Sequence, residues 1–358
     1  MDINLFLEKI KNNKLCIYGA GNLGNLLYWY LINKGFRIDK YIVSKYIPGG
    51  YYVTNGLPIV SKDDFIDEAQ KDNAVIVAIK FQEQIAEELS NYAYKYVYCL
   101  DSRDELIIAK VLFDELLSNN NISFQRDVSL INIKGETYVN PYIDDERFLD
   151  FFMGGVDMLF PHLFNEKRWI NEGPYENHNV YMKKGDVVIN CGASIGLFSQ
   201  IAINRGCFVH AFEPAKKQLE ILHKSLSNYN KDMWTINGVA LSDKSGEHDF
   251  YVHKSFEYDG FYKKKDNIDL IKVHTITLDE YVENNKLEKV DFIKANIEGA
   301  ERNMLIGAKN ILREFAPMLS IRANHLDDDI EVITDIICSA NDRYVVDVNY
   351  KNIYAYVK

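Results

Sequence analysis

Two glycines set between an apolar strand and a carboxylate mark the stretch of this chain best suited to chemistry. Val187 to Ile189 run as an apolar strand through Asn190 into Gly192, Ala193 and Gly196; a helical run follows, and a second strand, Phe208 to Phe212, ends on Glu213. Glycines at a strand-to-helix turn let the main chain approach a ligand, and an acid closing the next strand can accept hydrogen bonds from ribose hydroxyls. The spacing from the first glycine to the acid is about the ~20 residues of nucleotide-binding units. Each glycine alone reads equally well as a tight turn. The ordered set points to a nucleotide cofactor.

A second glycine loop lies near the start. Gly19-x-Gly21-x-x-Gly24 follows the strand Leu15 to Tyr18 and opens a helix through Leu31. A dinucleotide-dependent oxidoreductase wants an acid at the end of the following strand. Here that strand closes on Ser44 and Lys45, so the acceptor for a ribose diol is missing and an NAD-dependent oxidoreductase is the weakest reading.

These loops need sheets to hold them. In residues 1–120, strands are expected at Leu15–Tyr18, Ile38–Val43, Ala74–Ile79 and Tyr96–Leu100 with helices between, a parallel Rossmann-like sheet covered on both faces. Residues 121–180 break the rhythm: Val128 to Val139 reads as a hairpin turning at Lys134-Gly135, Asp144 to Ile170 as helical, and Asn171 to Glu176 as a loop. This segment is expected to be a connector folded over the next domain. The second alternation, 181–358, places strands at Val187–Asn190, Phe208–Phe212, Trp234–Ala240, Val290–Asn296 and Met318–Arg322. It finishes with an antiparallel hairpin, Tyr344–Asn349 and Asn352–Val357. Thr277 to Glu280 is a capping box opening a helix. The fold class is α/β throughout.

Length and composition bound the rest. At 358 residues the chain suits two or three domains. The 52 acidic against 41 basic residues give a net charge of −11, which argues against nucleic acid or anionic membrane as partners. The five cysteines never form a Cys-x-x-Cys pair, so free thiols and no structural zinc are expected. Without a signal peptide or a long apolar run, a cytoplasmic protein is expected. Self-association stays open.

Beyond these physical patterns, the C-terminal half resembles the FkbM family of S-adenosylmethionine-dependent methyltransferases. The likeness rests on Glu172-Gly-Pro-Tyr-Glu176, Gly185 to Gly196, Ala211-Phe-Glu-Pro214, Val239 to Asp243, Ile276 to Tyr281, Val290 to Glu301, and Pro317 leading to His325. It implies a class I methyltransferase sheet ending in the antiparallel hairpin, and S-adenosylmethionine as cofactor. It further implies that Asn190, Gly192, Ala193 and Gly196 hold the methionine end, Glu213 the ribose, and Ala240 with Asp243 the adenine. Tyr175 and Glu176 would contact substrate. Glu298, His325 and Asn296 would form the catalytic group, with His325 the natural proton acceptor at neutral pH. Lys294 ranks below these, on the expectation that a regular strand points it away from Asn296.

The family usually carries Asp where this chain has Asn190 and Asn296. Asn keeps the shape and can donate hydrogen bonds but carries no charge. At Asn190 the change costs cofactor affinity on the order of 1–2 kcal/mol; at Asn296 it removes a ligand from any divalent ion, so no metal is expected. The implied activity is O-methylation of a hydroxyl on a sugar or glycan precursor. The same two residues admit a second reading, a catalytically degenerate sugar-nucleotide-binding or scaffolding protein. The N-terminal stretch, over Ile17–Gly24, Gly56–Val60 and Ala74–Ile79, resembles nucleotide-sugar-binding domains of bacterial sugar-modifying enzymes; a packing domain with a degenerate glycine loop is the plainer alternative.

Overall fold

The computed structural model describes residues 2–45, 53–54, 56–67, 73–79, 82–92, 94–101, most of 103–112, 123–125, 130–133, 136–139, 175–253, 259–262, 267–349 and 351–358. The expected Lys134-Gly135 turn, the helices of 144–170 and most of the 171–176 loop lie outside these residues. The chain divides into two compact units, one built on Met1–Ile122 and the other on Ser123–Asp144 and Glu172–Lys358, each taking short pieces of the stretch between.

In the first unit, helices α1 (Ile3–Lys9), α2 (Asn22–Asn33), α3 (Lys62–Asp67) and α4 (Gln82–Asn91) accompany six strands. These are β1 (Leu15–Tyr18), β2 (Ile38–Val43), β3 (Val53–Thr54), β4 (Leu57–Ser61), β5 (Ala74–Val77) and β6 (Tyr96–Cys99), in the order β3-β4-β2-β1-β5-β6. All pairs are parallel except β3 with β4. Strands β1 and β5 are buried at every position, as expected of central strands covered on both faces. Asp104 ties this unit together: it accepts from Ile3 N at 3.0 Å and Tyr98 Oη at 2.6 Å.

The second unit opens with a three-stranded antiparallel sheet, β7 (Ser123–Gln125), β8 (Leu130–Ile133) and β9 (Glu136–Val139). The strands of the expected connector therefore belong to this unit. A seven-stranded sheet follows from β10 (Val187–Cys191), β11 (Phe208–Phe212), β12 (Trp234–Asn237), β16 (Phe292–Ala295), β17 (Met318–Arg322), β18 (Tyr344–Asn349) and β19 (Asn352–Val357), ordered β12-β11-β10-β16-β17-β19-β18. Five strands run parallel; β19 and β18 close the sheet antiparallel. In a smaller sheet, β15 (Asn267–Ile276) lies between β13 (Ala240–Leu241) and β14 (Gly246–His253). The single strand expected over Trp234–Ala240 is thus two, in different sheets, broken at Gly238.

Helices α5 (Leu197–Asn204), α6 (Lys216–Leu226), α7 (Leu278–Asn284), α8 (Glu301–Ile306), α9 (Lys309–Glu314) and α10 (Asp329–Ala340) complete the unit. Thr277 caps α7 by accepting from Glu280 N at 3.1 Å; Glu280 bonds to Ser245 rather than back to the cap, so the box is half formed.

Because successive residues of a strand face opposite ways, the seven-stranded sheet has two distinct faces. Ile189, Ile293, Leu319 and Ala355 are register neighbours, as are Cys191, Ala295, Ile321 and Ile353, and all belong to one apolar core with Met304, Leu305, Ile333 and Ile337. The alternate positions make a polar row: Asn190 lies opposite Lys294, Lys294 opposite Ser320, and Ser320 opposite Tyr354. All four are buried.

Helix α5 covers the polar face and is itself pinned to β9. Val139 N–H donates to Gln200 Oε1 at 2.6 Å, and Gln200 Nε2 donates to Val139 O at 3.0 Å. Replacing Gln200 by Leu would leave a buried donor and acceptor unpaired. Urea denaturation of Gln200→Leu is expected to show a loss of about 2–4 kcal/mol. A loss below about 0.5 kcal/mol, the size of an ordinary surface change, would mean that the amide bonds contribute nothing.

Candidate active site

The site is built at the carboxyl ends of β10, β11, β16 and β17, where open α/β sheets bind ligands. β10 runs into a turn in which Gly192 has φ +73°, Ser194 +47° and Gly196 +91°. The glycines have a reason the sequence did not show. A Cβ on Gly192 would lie 2.3 Å from the Asn296 carbonyl oxygen, and one on Gly196 would lie 2.7 Å from Leu222 Cδ1. They admit neighbouring parts of the protein rather than a ligand: Gly192 lets the β10 loop close on the β16 loop, and Gly196 lets α5 pack on α6.

Glu213, at the end of β11, is 7% exposed. Its Oε2 accepts from Ser194 N at 2.9 Å and its Oε1 from Ala215 N at 3.1 Å. Burial nevertheless pushes its carboxyl up to about 7, with those two N–H bonds and Lys294 pulling the other way and Asp259 adding to the rise. Ala240 is buried on β13, while Asp243 is exposed and accepts from Ser242 Oγ at 3.0 Å.

Asn190 donates through Nδ2 to Ser199 Oγ on α5 at 2.9 Å. Its Oδ1 is buried without a hydrogen-bond partner among the described residues, and so is Asn296 Oδ1. Asn296 Nδ2 donates to Tyr175 Oη at 3.3 Å. Lys294 comes to the same place: its Nζ donates to Gly192 O at 3.0 Å and lies 5.0 Å from the Tyr175 ring centroid. This corrects the low rank given to Lys294. Positions two apart on a strand share a face, so Lys294 and Asn296 belong together. Burial lowers the Lys294 ammonium to about 8.

Glu176 is engaged within the protein. One oxygen accepts from Met182 N at 2.6 Å and the other pairs with Arg205 at the end of α5. The carboxylate is buried and anchors its loop to the end of α5. Tyr175 is carried next to it and packs edge-on against Phe198, with ring centroids 5.4 Å apart.

The catalytic candidates converge at the loops after β16 and β17. His325 Nε2 lies 3.4 Å from Glu298 Oε1, and His325 Nδ1 lies 3.3 Å from Glu301 Oε1. Glu298 adopts φ +57°, a costly conformation for a non-glycine residue. Sequence reasoning missed Glu301. It is fully buried, its oxygens accept from Ile297 N at 2.7 Å and Gly299 N at 2.9 Å, and burial raises its carboxyl. It also missed Asp329, which fixes the histidine loop by accepting from His325 N and Leu326 N, both at 2.8 Å, while Arg302 Nε donates to it. The signal was present as Arg302 and the run Asp327 to Asp329, but nothing local separates those acids from a solvated helix start. Tyr262 is a third: a Cβ on Gly299 would lie 3.0 Å from its ring.

In the first unit, Gly19 and Gly24 are likewise packing glycines; a Cβ on Gly24 would lie 1.9 Å from Gly19 O. Gly21 faces open space at the start of α2. No group of three or more metal-binding side chains exists among the described residues, and all five cysteines are free.

Residues 190–344 match the methyltransferase FkbM domain. That stretch is a methyltransferase domain similar to FkbM. Its sheet is the Rossmann-like sheet of class I methyltransferases, and the domain is of the S-adenosylmethionine-dependent kind. Over 189 residues, 44% of the chain, it is 22% identical to the 31-O-demethyl-FK506 methyltransferase FkbM of Streptomyces tacrolimicus, covering 70% of that protein. Over 237 residues, 56% of the chain, it is 24% identical to the AMB antimetabolite synthetase AmbE of Pseudomonas aeruginosa, of which it spans 11%. Among solved structures, methyltransferase FkbM from Methylobacillus flagellatus KT is similar over 99% of this chain and 94% of its own, at 17% identity and a TM-score of 0.43. The fibrillarin of Aeropyrum pernix, solved with natively bound S-adenosyl-L-methionine, is similar over 49% of this chain and 67% of its own, at 10% identity and a TM-score of 0.31.

The residues present fit that cofactor. A buried carboxylate with two N–H partners has acceptor capacity left for a ribose diol, and the unpartnered Oδ1 atoms of Asn190 and Asn296 lack what an ammonium group supplies, a donor.

The raised Glu213 carboxyl has a consequence for stability. Between the unfolded value near 4.5 and the folded value near 7, the native chain binds more protons than the unfolded one, so stability falls as pH rises through that window. The fall from this one group is on the order of 3 kcal/mol. Thermal or urea denaturation at pH 5 and pH 8 is expected to show it in the wild type, reduced in Glu213→Gln. Equal pH dependence in the two proteins would contradict the assignment.

Proposed function

We propose that this chain is an O-methyltransferase that moves a methyl group from S-adenosylmethionine to a hydroxyl of a sugar or glycan precursor. The observation that carries the proposal is His325 lying between the Glu298 and Glu301 carboxylates, at 3.4 and 3.3 Å, on the loops after β16 and β17. A histidine flanked by two carboxylates can take a proton and keep the resulting imidazolium stabilised.

When bound, S-adenosylmethionine supplies an electrophilic methyl carbon on a sulfonium sulfur. The chain's own residues do the rest. Glu213 would hold the ribose, and the β10 loop with Asn190 and Asn296 would take the methionine end. His325 Nε2 would take the proton of an acceptor hydroxyl as that hydroxyl is methylated. Glu301 lies on the Nδ1 side of the ring, 3.3 Å away without a hydrogen bond to it, and Asp329 fixes the loop that presents the histidine. Tyr262, exposed beside Gly299, offers an aromatic face of the kind that packs against sugar rings.

The sugar acceptor rests on the sequence resemblance of Ile17–Gly24, Gly56–Val60 and Ala74–Ile79 to nucleotide-sugar-binding domains, with Gly21 open at the start of α2. We assign that unit to recognition of a nucleotide-diphosphate sugar, and the protein to the cytoplasm.

Turnover across a panel of sugars and nucleotide sugars, with titration calorimetry of the cofactor, tests the reading. His325→Gln is expected to lower kcat by roughly 10²–10⁴ and leave the cofactor Kd within about twofold. Cofactor binding with no methyl transfer to any member of the panel would favour the degenerate, sugar-nucleotide-binding alternative.

A further inference from the structure

The polar row on the seven-stranded sheet holds a cation that the proposed chemistry does not use. Lys294 is 4% exposed and sits in the middle of the sheet, on β16 between β10 and β17. Its neighbours across the strands are an amide, Asn190, and a hydroxyl, Ser320. The residue two positions along the same face, Asn296, is another amide. No carboxylate among the described residues comes within ion-pair distance of its Nζ. Glu213 and Glu301 influence it only from farther away.

An ammonium has three donors. One is given to Gly192 O at 3.0 Å; the ring centroids of Tyr175 and Phe198 lie 5.0 and 5.9 Å from Nζ. A buried charge with one carbonyl and two aromatic faces is incompletely compensated, and such a group persists where a ligand completes it. The carbonyl it touches belongs to the glycine turn after β10, the turn whose Ser194 N–H donates to the ribose-holding Glu213. The cation therefore lies at the methionine side of the same turn.

Resting on the proposed cofactor site, we infer that Lys294 is the counter-charge for the α-carboxylate of the cofactor's methionine end. The ammonium donates its remaining hydrogens to the carboxylate while Gly192 O and Tyr175 hold it in place. Asn190 and Asn296, being neutral, leave the cation unpaired for this purpose; an acid at either position would occupy it. Asn190 Oδ1 and Asn296 Oδ1 then remain for the cofactor's ammonium. The two charged ends of the amino acid are thus read by groups of opposite kind on one sheet face.

The test is titration calorimetry of the full chain with S-adenosylhomocysteine and with its decarboxylated analogue, in wild type and Lys294→Met. Methionine keeps the length and apolar stem without the charge. Wild type is expected to bind S-adenosylhomocysteine about 10- to 100-fold more tightly than the analogue. In Lys294→Met that preference should vanish, with the analogue's affinity the same in both proteins. Equal weakening of both ligands, or no weakening of either, overturns the inference while leaving the cofactor site standing. Should the variant not fold, the wild-type comparison alone decides: equal affinity for the two ligands overturns it. A folded wild type that binds neither ligand removes the cofactor reading, and this inference with it.

Discussion

The close approach of the β10 and β16 loops is the contact on which the rest of the second unit depends. Gly192 passes the Asn296 carbonyl with no room for a side chain. That contact sets the crevice between the two strands, brings Gly192 O to Lys294, and places the turn whose Ser194 N–H reaches Glu213. A larger residue at Gly192 would push the strands apart and separate groups that come from β10, β11 and β16. The rigidity is backbone in origin, so it survives variation in the surrounding side chains.

Around this contact the protein tolerates charges that burial disfavours. Glu213 rises toward 7 and Lys294 falls toward 8, each because desolvation outweighs the bonds it makes. Opposed shifts at one sheet edge are common where ligands complete the bonding. The apolar opposite face offsets this cost: Ile189, Ile293, Leu319 and Ala355 bury against Met304, Leu305, Ile333 and Ile337. One face of the sheet supplies stability, and the other carries the polar groups.

Much of this organisation could be read from the sequence, because parallel strands covered on both faces announce themselves as short apolar runs. β1, β2, β11, β17, β18 and β19 fall at the expected residues. What could not be read depended on contacts across the chain. The split of Trp234–Ala240 follows from Ala240 pairing with Thr275, far along the sequence. The long β14–β15 pair was missed because alternating charged residues such as Glu247, Asp249 and Lys272 mask its pattern; they face one another only once paired. Among site residues, glycines and Glu213 were visible as a motif in order. Glu301 was hidden as one acid among many, since its role rests on a fold that buries it under the histidine loop.

The two asparagines bear differently on the two readings of function. If acid–base chemistry ran through positions 190 and 296, neutral residues there would disable it. The geometry separates these tasks. Asn190 bonds to Ser199 and Asn296 to Tyr175, on the polar face with Lys294. Proton transfer, on the proposed mechanism, falls to His325 with Glu298 and Glu301 on the loops beyond the strand ends. On that mechanism, neutral residues at 190 and 296 would alter how the cofactor's amino-acid end is balanced without touching the group that takes the proton. Glu298 is held at positive φ, and the His325 loop is fixed through Asp329 and Arg302. On the proposed mechanism, both features support the loop that presents the histidine.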